Sequence, residues 1–269
     1  MSGLFQNFGD VNSIQEPFDV AVVMPTIARP TLARALASIL NQKFLGRVQV
    51  LIGVDRRLTP LEPLIDALAK LPPRRVVSLF DPGYSTSIRH GGLHPTRDGG
   101  ALRCILTYLA NAPHVAYLDD DNWWALDHLS RMRQAIEGKA WAFSLRCFTH
   151  PETQRTVAID EWESIGPGRG FYARTFGGWV DPNCLMIDKL RCEPVIRRWV
   201  LPLSIDPSGL SADRNVFRAL KRYPCGETHA VTTFYQLTPN DTMHPTRMMR
   251  FGAAYEQAGQ KDAPAEPTG

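Results

Sequence analysis

Three consecutive aspartates, Asp119, Asp120 and Asp121, follow the apolar segment HVAYL and are the residues of this sequence best suited to chemistry. Ligands of open α/β sheets bind beyond the carboxyl ends of the strands, where these carboxylates would lie. In an extended segment Asp119 and Asp121 project to one side and Asp120 to the other. Adjacent negative charges repel one another, and ligation by oxygen alone favours Mg²⁺ or Mn²⁺ over zinc. The sequence therefore predicts a divalent cation here; the alternative is a solvated acidic turn.

The elements that would position these aspartates are predicted by alternating hydrophobic patterns from Phe18 onward. The strands DVAVVMP, VQVLIGVD, RRVVSLF and HVAYL alternate with segments of helical periodicity. The first of these helices places its apolar residues on one face, at Leu32, Ala35, Leu36, Ile39 and Leu40. This order is typical of a single α/β domain with a mostly parallel central sheet flanked by helices.

The second half of the chain is less regular. WAFSLRCF, RTVAID and THAVTTFYQL read as strands, with a further strand near 184–187 and a helix near 213–221. Between 161 and 178 lies an irregular, glycine-rich stretch whose arginines and aromatic residues could close over a ligand. The polar, Pro- and Ala-rich residues 254–269 predict a frayed tail.

Composition excludes several classes of function. The 269 residues carry 30 Lys+Arg against 27 Asp+Glu, a net charge of +3 with no run of five like charges, so nucleic acid is not an expected partner. No 18-residue apolar run and no secretory signal pattern occur, so we expect a cytoplasmic chain with no transmembrane segment. The five scattered cysteines indicate neither a disulfide framework nor a zinc site.

The segments VVMPTIARPTLARALASILNQ, IGVD and YLDDDNWWALDHL, in this order, resemble the nucleotide-sugar glycosyltransferases of family 2, which have the GT-A fold. The resemblance covers about residues 18–222 and is strongest in the first 130 residues. It implies one GT-A, Rossmann-like domain, with residues 18–122 as the nucleotide-sugar-binding half and 123–253 as the acceptor-binding half. Residues 1–17 would be an N-terminal extension and 254–269 a flexible tail.

The resemblance also implies a donor site. The Pro-Thr turn after the first strand would open the nucleotide site, and the Asp that ends the second strand would contact the base. An Arg ahead of the helix that leads to the aspartates would reach the diphosphate. The matching positions, with the aspartates that bind the metal–diphosphate, are Pro25, Thr26, Asp55, Arg97, Asp119 and Asp120. Arg89 and Arg103 compete with Arg97 for the diphosphate contact.

A metal site and a catalytic base follow from the same resemblance. Asp119 and Asp121 would hold Mn²⁺ or Mg²⁺, with His244 as a third ligand. Asp213, in SADRNVFRALKR, matches the general base of inverting enzymes, although Ala212 replaces the Glu that often precedes it. The alternative role for Asp213 is that of a helix cap.

The implied function is metal-dependent transfer of a sugar from a nucleotide diphosphate donor, with UDP the commonest in the family, to a hydroxyl of a saccharide or other acceptor, with inversion. Three alternatives remain open: a retaining transferase, a sugar-phosphate nucleotidyltransferase and a non-catalytic nucleotide-binding module. The absence of a Gly-rich loop after the first strand, where ARPTLARAL stands, argues against the nucleotidyltransferase. The sugar and the acceptor are not predicted, and a homodimer is left open.

Overall fold

The computed structural model of the protein describes residues 4–10, 14–95, 99–201 and 212–260. The strands are β1 (Phe5–Gly9), β2 (Val20–Thr26), β3 (Val48–Val54), β4 (Arg75–Phe80), β5 (His114–Tyr117), β6 (Trp123–Trp124), β7 (Trp141–Thr149), β8 (Thr156–Ile159), β9 (Gly166–Pro167), β10 (Gly178–Trp179), β11 (Leu185–Asp188) and β12 (Cys225–Gln236). The helices are α1 (Leu32–Leu40), α2 (Glu62–Leu68), α3 (Gly100–Leu109), α4 (His128–Ala135), α5 (Ala173–Phe176), α6 (Glu193–Ile196), α7 (Ala212–Leu220) and α8 (His244–Gly259).

One large sheet organises the described residues, in the order β1-β4-β3-β2-β5-β11-β7-β12-β6, with β8 beside β7. β2, β3, β4 and β5 are mutually parallel, and β7 is parallel to β12. β11 is antiparallel to both β5 and β7, so it joins two parallel halves that run in the same direction. The predicted α/β class, a mostly parallel sheet flanked by helices, is confirmed.

Burial explains why the first strands formed as the sequence indicated. Every residue of β2 and β3 is buried, as expected for parallel strands that are covered on both faces. α1 packs on the sheet through four buried side chains of its predicted apolar stripe: Leu32, Ala35, Leu36 and Ile39. Hydrophobic clusters on the two faces of the sheet form the core.

The sheet brings the predicted functional residues to one edge. β2, β3 and β5 are neighbours and run in the same direction. Thr26 is the last residue of β2, Asp55 follows β3 directly, and the aspartates 119–121 begin two residues after β5. All of them therefore lie at the carboxyl edge of the sheet, where open α/β folds bind ligands.

The two ends of the chain differ from the sequence prediction. Residues 5–9 form β1, an edge strand that pairs antiparallel with β4. The prediction of a frayed tail from residue 254 is wrong for residues 254–259, because α8 continues to Gly259 and buries Ala258. The rest of that predicted tail, residues 261–269, lies outside the described residues. Within the described chain, each helix is too short or too polar to cross a membrane.

Candidate functional site

Asp120 is the buried centre of the acidic segment, with 1% of its surface exposed. Its carboxylate accepts hydrogen bonds from Thr26 Oγ1 at 2.6 Å and from the backbone N–H of Ile27 at 3.2 Å, and it pairs with the Arg29 guanidinium. Thr26 Oγ1 in turn accepts from the backbone N–H of Ala28 at 2.8 Å. Asp120 and Thr26 therefore fix the turn after β2 against the end of β5. The donor contacts implied for both residues stay predictions.

Asp119 and Asp121 flank this centre and are more exposed. Their side chains are 29% and 23% exposed against 1% for Asp120, which agrees with the predicted alternation along the segment. Asp119 pairs with Arg103, and Asp121 lies 3.3 Å from Arg29. Burial raises the pKa of Asp121 to about 7; the charge of Arg29 opposes this rise, and the charges of Asp119 and Asp120 add to it. The segment is thus rich in negative charge despite two neighbouring arginines.

The two flanking aspartates are of the type that binds a divalent cation, but each faces an arginine, and the predicted third ligand does not join them. Mg²⁺ and Mn²⁺ are commonly bound through one or two carboxylates, with phosphate and water oxygens completing the shell. His244 begins α8, with its ring 6.1 Å from that of Tyr255. The described chain contains no group of three or more His, Cys, Asp or Glu side chains that could hold a metal ion. The ligand set Asp119, Asp121 and His244 is therefore not assembled, and the metal contact of the two aspartates stays a prediction.

Asp55 anchors the segment that follows β4. Its carboxylate accepts from Ser85 Oγ at 2.9 Å, from Thr86 N and Oγ1 at 3.0 Å each, and contacts His90 Nδ1 at 2.9 Å. Burial opposes ionisation, but these bonds outweigh it and hold the pKa of Asp55 below its ordinary value. Two contacts on each oxygen use the acceptor capacity of a carboxylate. The predicted contact of Asp55 with a nucleobase would therefore require part of this network to open.

The predicted diphosphate contact, Arg97, lies outside the described residues. Of its two sequence competitors, Arg103 contacts the acidic segment through Asp119. The remaining predicted residue, Pro25, packs against Gly99 just before α3. Gly99 has a φ of +75°, and a Cβ there would lie 2.6 Å from Cβ of Pro25. The close approach of α3 to β2 therefore requires glycine at this position.

Asp213 is the second residue of α7, and its Oδ1 accepts a 2.7 Å hydrogen bond from the backbone N–H of Arg214. Burial raises the pKa of Asp213 to about 7; Arg214 and Arg103 oppose the rise, and the charge of Asp181 adds to it. Arg103, which pairs with Asp119, and Asp181, which bonds to Asn183, are therefore among the charges that act on Asp213. A carboxylate with a pKa near neutrality is suited to general-base catalysis.

A buried ionic network that the sequence analysis did not single out lies beside this site. Its first centre is Arg146, which is 1% exposed. The Arg146 guanidinium contacts Asp160 at 2.8 Å, Glu163 at 2.9 Å and Asp181 at 2.6 Å. Three carboxylates around one guanidinium leave excess negative charge, which a second cation must balance.

Arg247, on α8, is that second cation. It contacts both oxygens of Glu163 at 2.7 Å and Asp241 at 2.6 Å, and Tyr235 Oη donates to Asp241 at 2.8 Å. Glu163 and Arg247 are 84 residues apart in sequence. The spacing of residues along the sequence cannot reveal a pair that is so far apart. The sequence shows only that arginines and acids occur in these segments, not that they contact one another.

Asn183 connects the network to the acidic segment. Its Nδ2 donates to Asp181 Oδ1 at 2.7 Å and to Asp119 Oδ2 at 3.0 Å, while its Oδ1 accepts from the backbone N–H of Asp119 at 2.6 Å. Asn183 is 1% exposed. An unbroken series of polar contacts therefore runs from α8 through Glu163, Arg146, Asp181 and Asn183 to Asp119.

No family model and no curated protein matches the sequence of this chain. Solved structures of S. aureus TarS do match its fold. TarS 1-349 is 13% identical with a TM-score of 0.57, over 81% of this chain and 60% of that one. TarS 1-349 in complex with UDP is 12% identical with a TM-score of 0.57, over 90% of this chain and 67% of that one. The complex with UDP-GlcNAc is 10% identical with a TM-score of 0.59, over 90% of this chain and 68% of that one.

These similarities show a common α/β fold. The chain spans 60% of the length of the first of these TarS chains, so a part of that chain has no counterpart in it.

Proposed function

We propose that this chain is a nucleotide-sugar glycosyltransferase that uses a UDP-sugar donor. The observation that carries the proposal is the position of Asp119 and Asp121 at the carboxyl edge of three parallel strands, with Arg29 and Arg103 in contact with the acidic segment. TarS, which shares the fold, has been solved with UDP and with UDP-GlcNAc. The family resemblance of the strand ends adds to this support.

The donor diphosphate would lie between the acidic segment and its arginines. The Arg29 side chain is 41% exposed, so its guanidinium can donate to phosphate oxygens while it stays beside Asp120. Mn²⁺ or Mg²⁺ held by Asp119 and Asp121 would neutralise negative charge that develops on the leaving diphosphate. Electrostatic stabilisation of the leaving group is the main contribution that we assign to this edge of the sheet.

Asp213 would act on the acceptor. Its carboxylate removes the proton of an acceptor hydroxyl while that oxygen forms a bond to the anomeric carbon and the bond from that carbon to the diphosphate breaks. The anomeric configuration inverts in this single displacement. A base is most effective when its pKa lies near the working pH, and the pKa of Asp213 is about 7.

A thermal-shift screen of UDP, GDP and CDP, each with and without Mn²⁺, tests the donor assignment. A ligand that binds only the folded state raises the apparent melting temperature by mass action. We expect UDP with Mn²⁺ to give the largest rise, and a screen in which no nucleotide raises the melting temperature would refute the proposal.

NMR of the products formed from UDP-sugars tests the chemistry. We expect a product of inverted anomeric configuration. Retention would remove the base role of Asp213 and favour a retaining transferase on the same fold. UDP binding without any hydrolysis or transfer would instead identify a non-catalytic module.

A further inference from the structure

His90, on the segment that follows β4, contacts the proposed base site, and the reaction above gives it no role. Its Nδ1 lies 2.9 Å from Oδ2 of Asp55, the carboxylate for which we predict a nucleobase contact. The side chain of Asp55 is 5% exposed and that of His90 is 17% exposed. The imidazole therefore already holds one of the two oxygens that a nucleobase would have to reach.

The contact is a hydrogen bond that His90 donates. Burial on its own would raise the pKa of Asp55, but hydrogen bonds hold it below its ordinary value, and among these bonds the one from His90 acts most strongly. Asp55 is therefore ionised near neutral pH, and an ionised carboxylate only accepts hydrogen bonds. A ligand that replaces the imidazole must bring an N–H or O–H donor of its own.

The other donors to Asp55 are bound more firmly than the imidazole. Thr86 donates through both its backbone N–H and its Oγ1, each at 3.0 Å. Ser85 Oγ donates to Asp55 at 2.9 Å and also accepts from the backbone N–H of Ser87 at 3.0 Å. Withdrawal of either residue from Asp55 would break two hydrogen bonds, whereas withdrawal of the His90 ring breaks one of the bonds to Asp55.

The main chain around His90 is held by its own hydrogen bonds. The backbone N–H of His94 donates to the carbonyl oxygen of Thr86 at 3.0 Å, and that of Gly92 donates to the carbonyl oxygen of Ser87 at 2.8 Å. A Cβ on Gly92 would collide with the backbone of Thr86, so these two stretches of chain are in close contact. The His90 ring can leave Asp55 by rotation about its side-chain bonds while this backbone stays in place.

Building on the proposed function, we propose that His90 competes with the donor for Asp55: its imidazole leaves the carboxylate when the nucleotide binds, and the N3–H of uracil takes its place on Oδ2. One N–H donor replaces another, so the buried carboxylate stays fully bonded. The bond from His90 must break before the base can bind, and His90 therefore lowers the affinity for UDP.

Isothermal titration calorimetry of UDP and of inorganic pyrophosphate, each with Mn²⁺, tests this competition. His90→Ala removes the donor. His90→Asn keeps one, because Nδ2 of asparagine is as far along the side chain as Nδ1 of histidine. The matched control is His229→Ala, whose target is 79% exposed and lies on β12, separated from β3 by β2, β5, β11 and β7. Circular dichroism verifies that the variants are folded.

We expect His90→Ala to bind UDP about tenfold more tightly than wild type, since a hydrogen bond to a charged group no longer opposes binding. His90→Asn and His229→Ala should stay within about twofold of wild type. Pyrophosphate has no base, so its affinity should be the same in all four proteins. Equal or weaker UDP binding by His90→Ala, or an equal gain in His90→Asn or for pyrophosphate, would overturn the proposal.

NMR of wild-type protein labelled with ¹⁵N-histidine tests the exchange without reliance on the folding of a variant. UDP is added with Mg²⁺, because paramagnetic Mn²⁺ would broaden the signals. The Nδ1 resonance of His90 should move as its bond to Asp55 ends, while that of His229 stays in place. An unchanged His90 resonance at saturating UDP would overturn the proposal.

The calorimetry also separates this inference from the proposed function. UDP binding by wild type that His90→Ala does not strengthen would refute the competition alone and leave the transferase intact. Absence of UDP binding in all four proteins would refute the proposed donor, and this inference with it.

Discussion

The raised pKa of Asp213 connects a single residue to the rate of the reaction. Removal of a general base lowers the rate about 10²–10⁴-fold, so Asp213→Asn should reduce transfer from a UDP-sugar by that factor while the affinity for UDP is unchanged. The wild-type rate should increase as pH rises through about 7, because only the ionised carboxylate accepts a proton. Transfer at the wild-type rate in Asp213→Asn would show that another group, or none, is the base.

The same residue should lower stability near neutral pH. The pKa of Asp213 is about 7 in the folded protein, above its ordinary value of 3.8. Between these two values the folded state retains a proton that the unfolded state has lost, so stability falls as pH rises through this window. Asp213→Asn removes this penalty, and its melting temperature should exceed that of wild type at about pH 8 and converge with it near about pH 4. Equal melting temperatures at both pH values would contradict the raised pKa.

At the scale of elements, α8 is held by charge as well as by apolar contacts. Arg247→Met leaves the carboxylates of Glu163 and Asp241 buried without this guanidinium, and breaking a buried pair in this way costs about 3–5 kcal/mol. Urea unfolding should reveal this loss. Arg250→Met on the same helix removes only a cation–π contact with Trp162 and Phe251 and should cost less than about 1 kcal/mol. Similar losses in both variants would contradict the role of the network.

The contacts of Asn183 make a second prediction at this scale. Asn183→Ala removes both side-chain contacts to Asp119, so the affinity for UDP with Mn²⁺ should fall about tenfold in isothermal titration calorimetry. Ser78→Ala is a matched control, because Ser78 is fully buried on β4, bonds to Asn7 of β1 at 2.7 Å, and is separated from β5 by β3 and β2. Loss of stability without loss of UDP affinity in Asn183→Ala would reduce Asn183 to a structural role.

The elements were predictable where local patterns determine them. β2, β3 and β5 are mostly apolar, with Gln49 and His114 as exceptions, and polar residues end or follow them. α1 has a regular apolar stripe, so the type and the position of these elements follow from the sequence. The final turns of α8 contain small and polar residues, so the sequence predicts a tail where the structure has a helix. The stabilisation of α8 depends on Glu163, which is 84 residues from Arg247, and no local pattern contains that contact.

For the molecule as a whole, the sequence predicted which residues meet at the carboxyl edge of the sheet but not the contacts among them. Convergence of Thr26, Asp55 and the three aspartates follows from the rule that parallel strands present their carboxyl ends at one edge. The sequence could not foresee that Asp55 is fully engaged by Ser85, Thr86 and His90, or that His244 is not gathered with Asp119 and Asp121. Such outcomes depend on loop conformation and on competition among polar groups for partners.

The charge distribution of the whole molecule also depends on the fold. An overall charge of +3 suggests no marked polarity, yet folding gathers three aspartates at the carboxyl edge of the sheet and brings Arg29 and Arg103 into contact with them.

Isothermal titration calorimetry of UDP with Mn²⁺ is the most direct test of the central claim, that the acidic segment binds a donor diphosphate together with a cation. We compare wild type with Asp121→Asn and with Asp127→Asn, whose target is an exposed carboxylate paired with Arg131. The account predicts Mn²⁺-dependent UDP binding that is at least about tenfold weaker in Asp121→Asn and unchanged in Asp127→Asn. Equal UDP affinity in all three proteins, or no UDP binding by wild type, would contradict it.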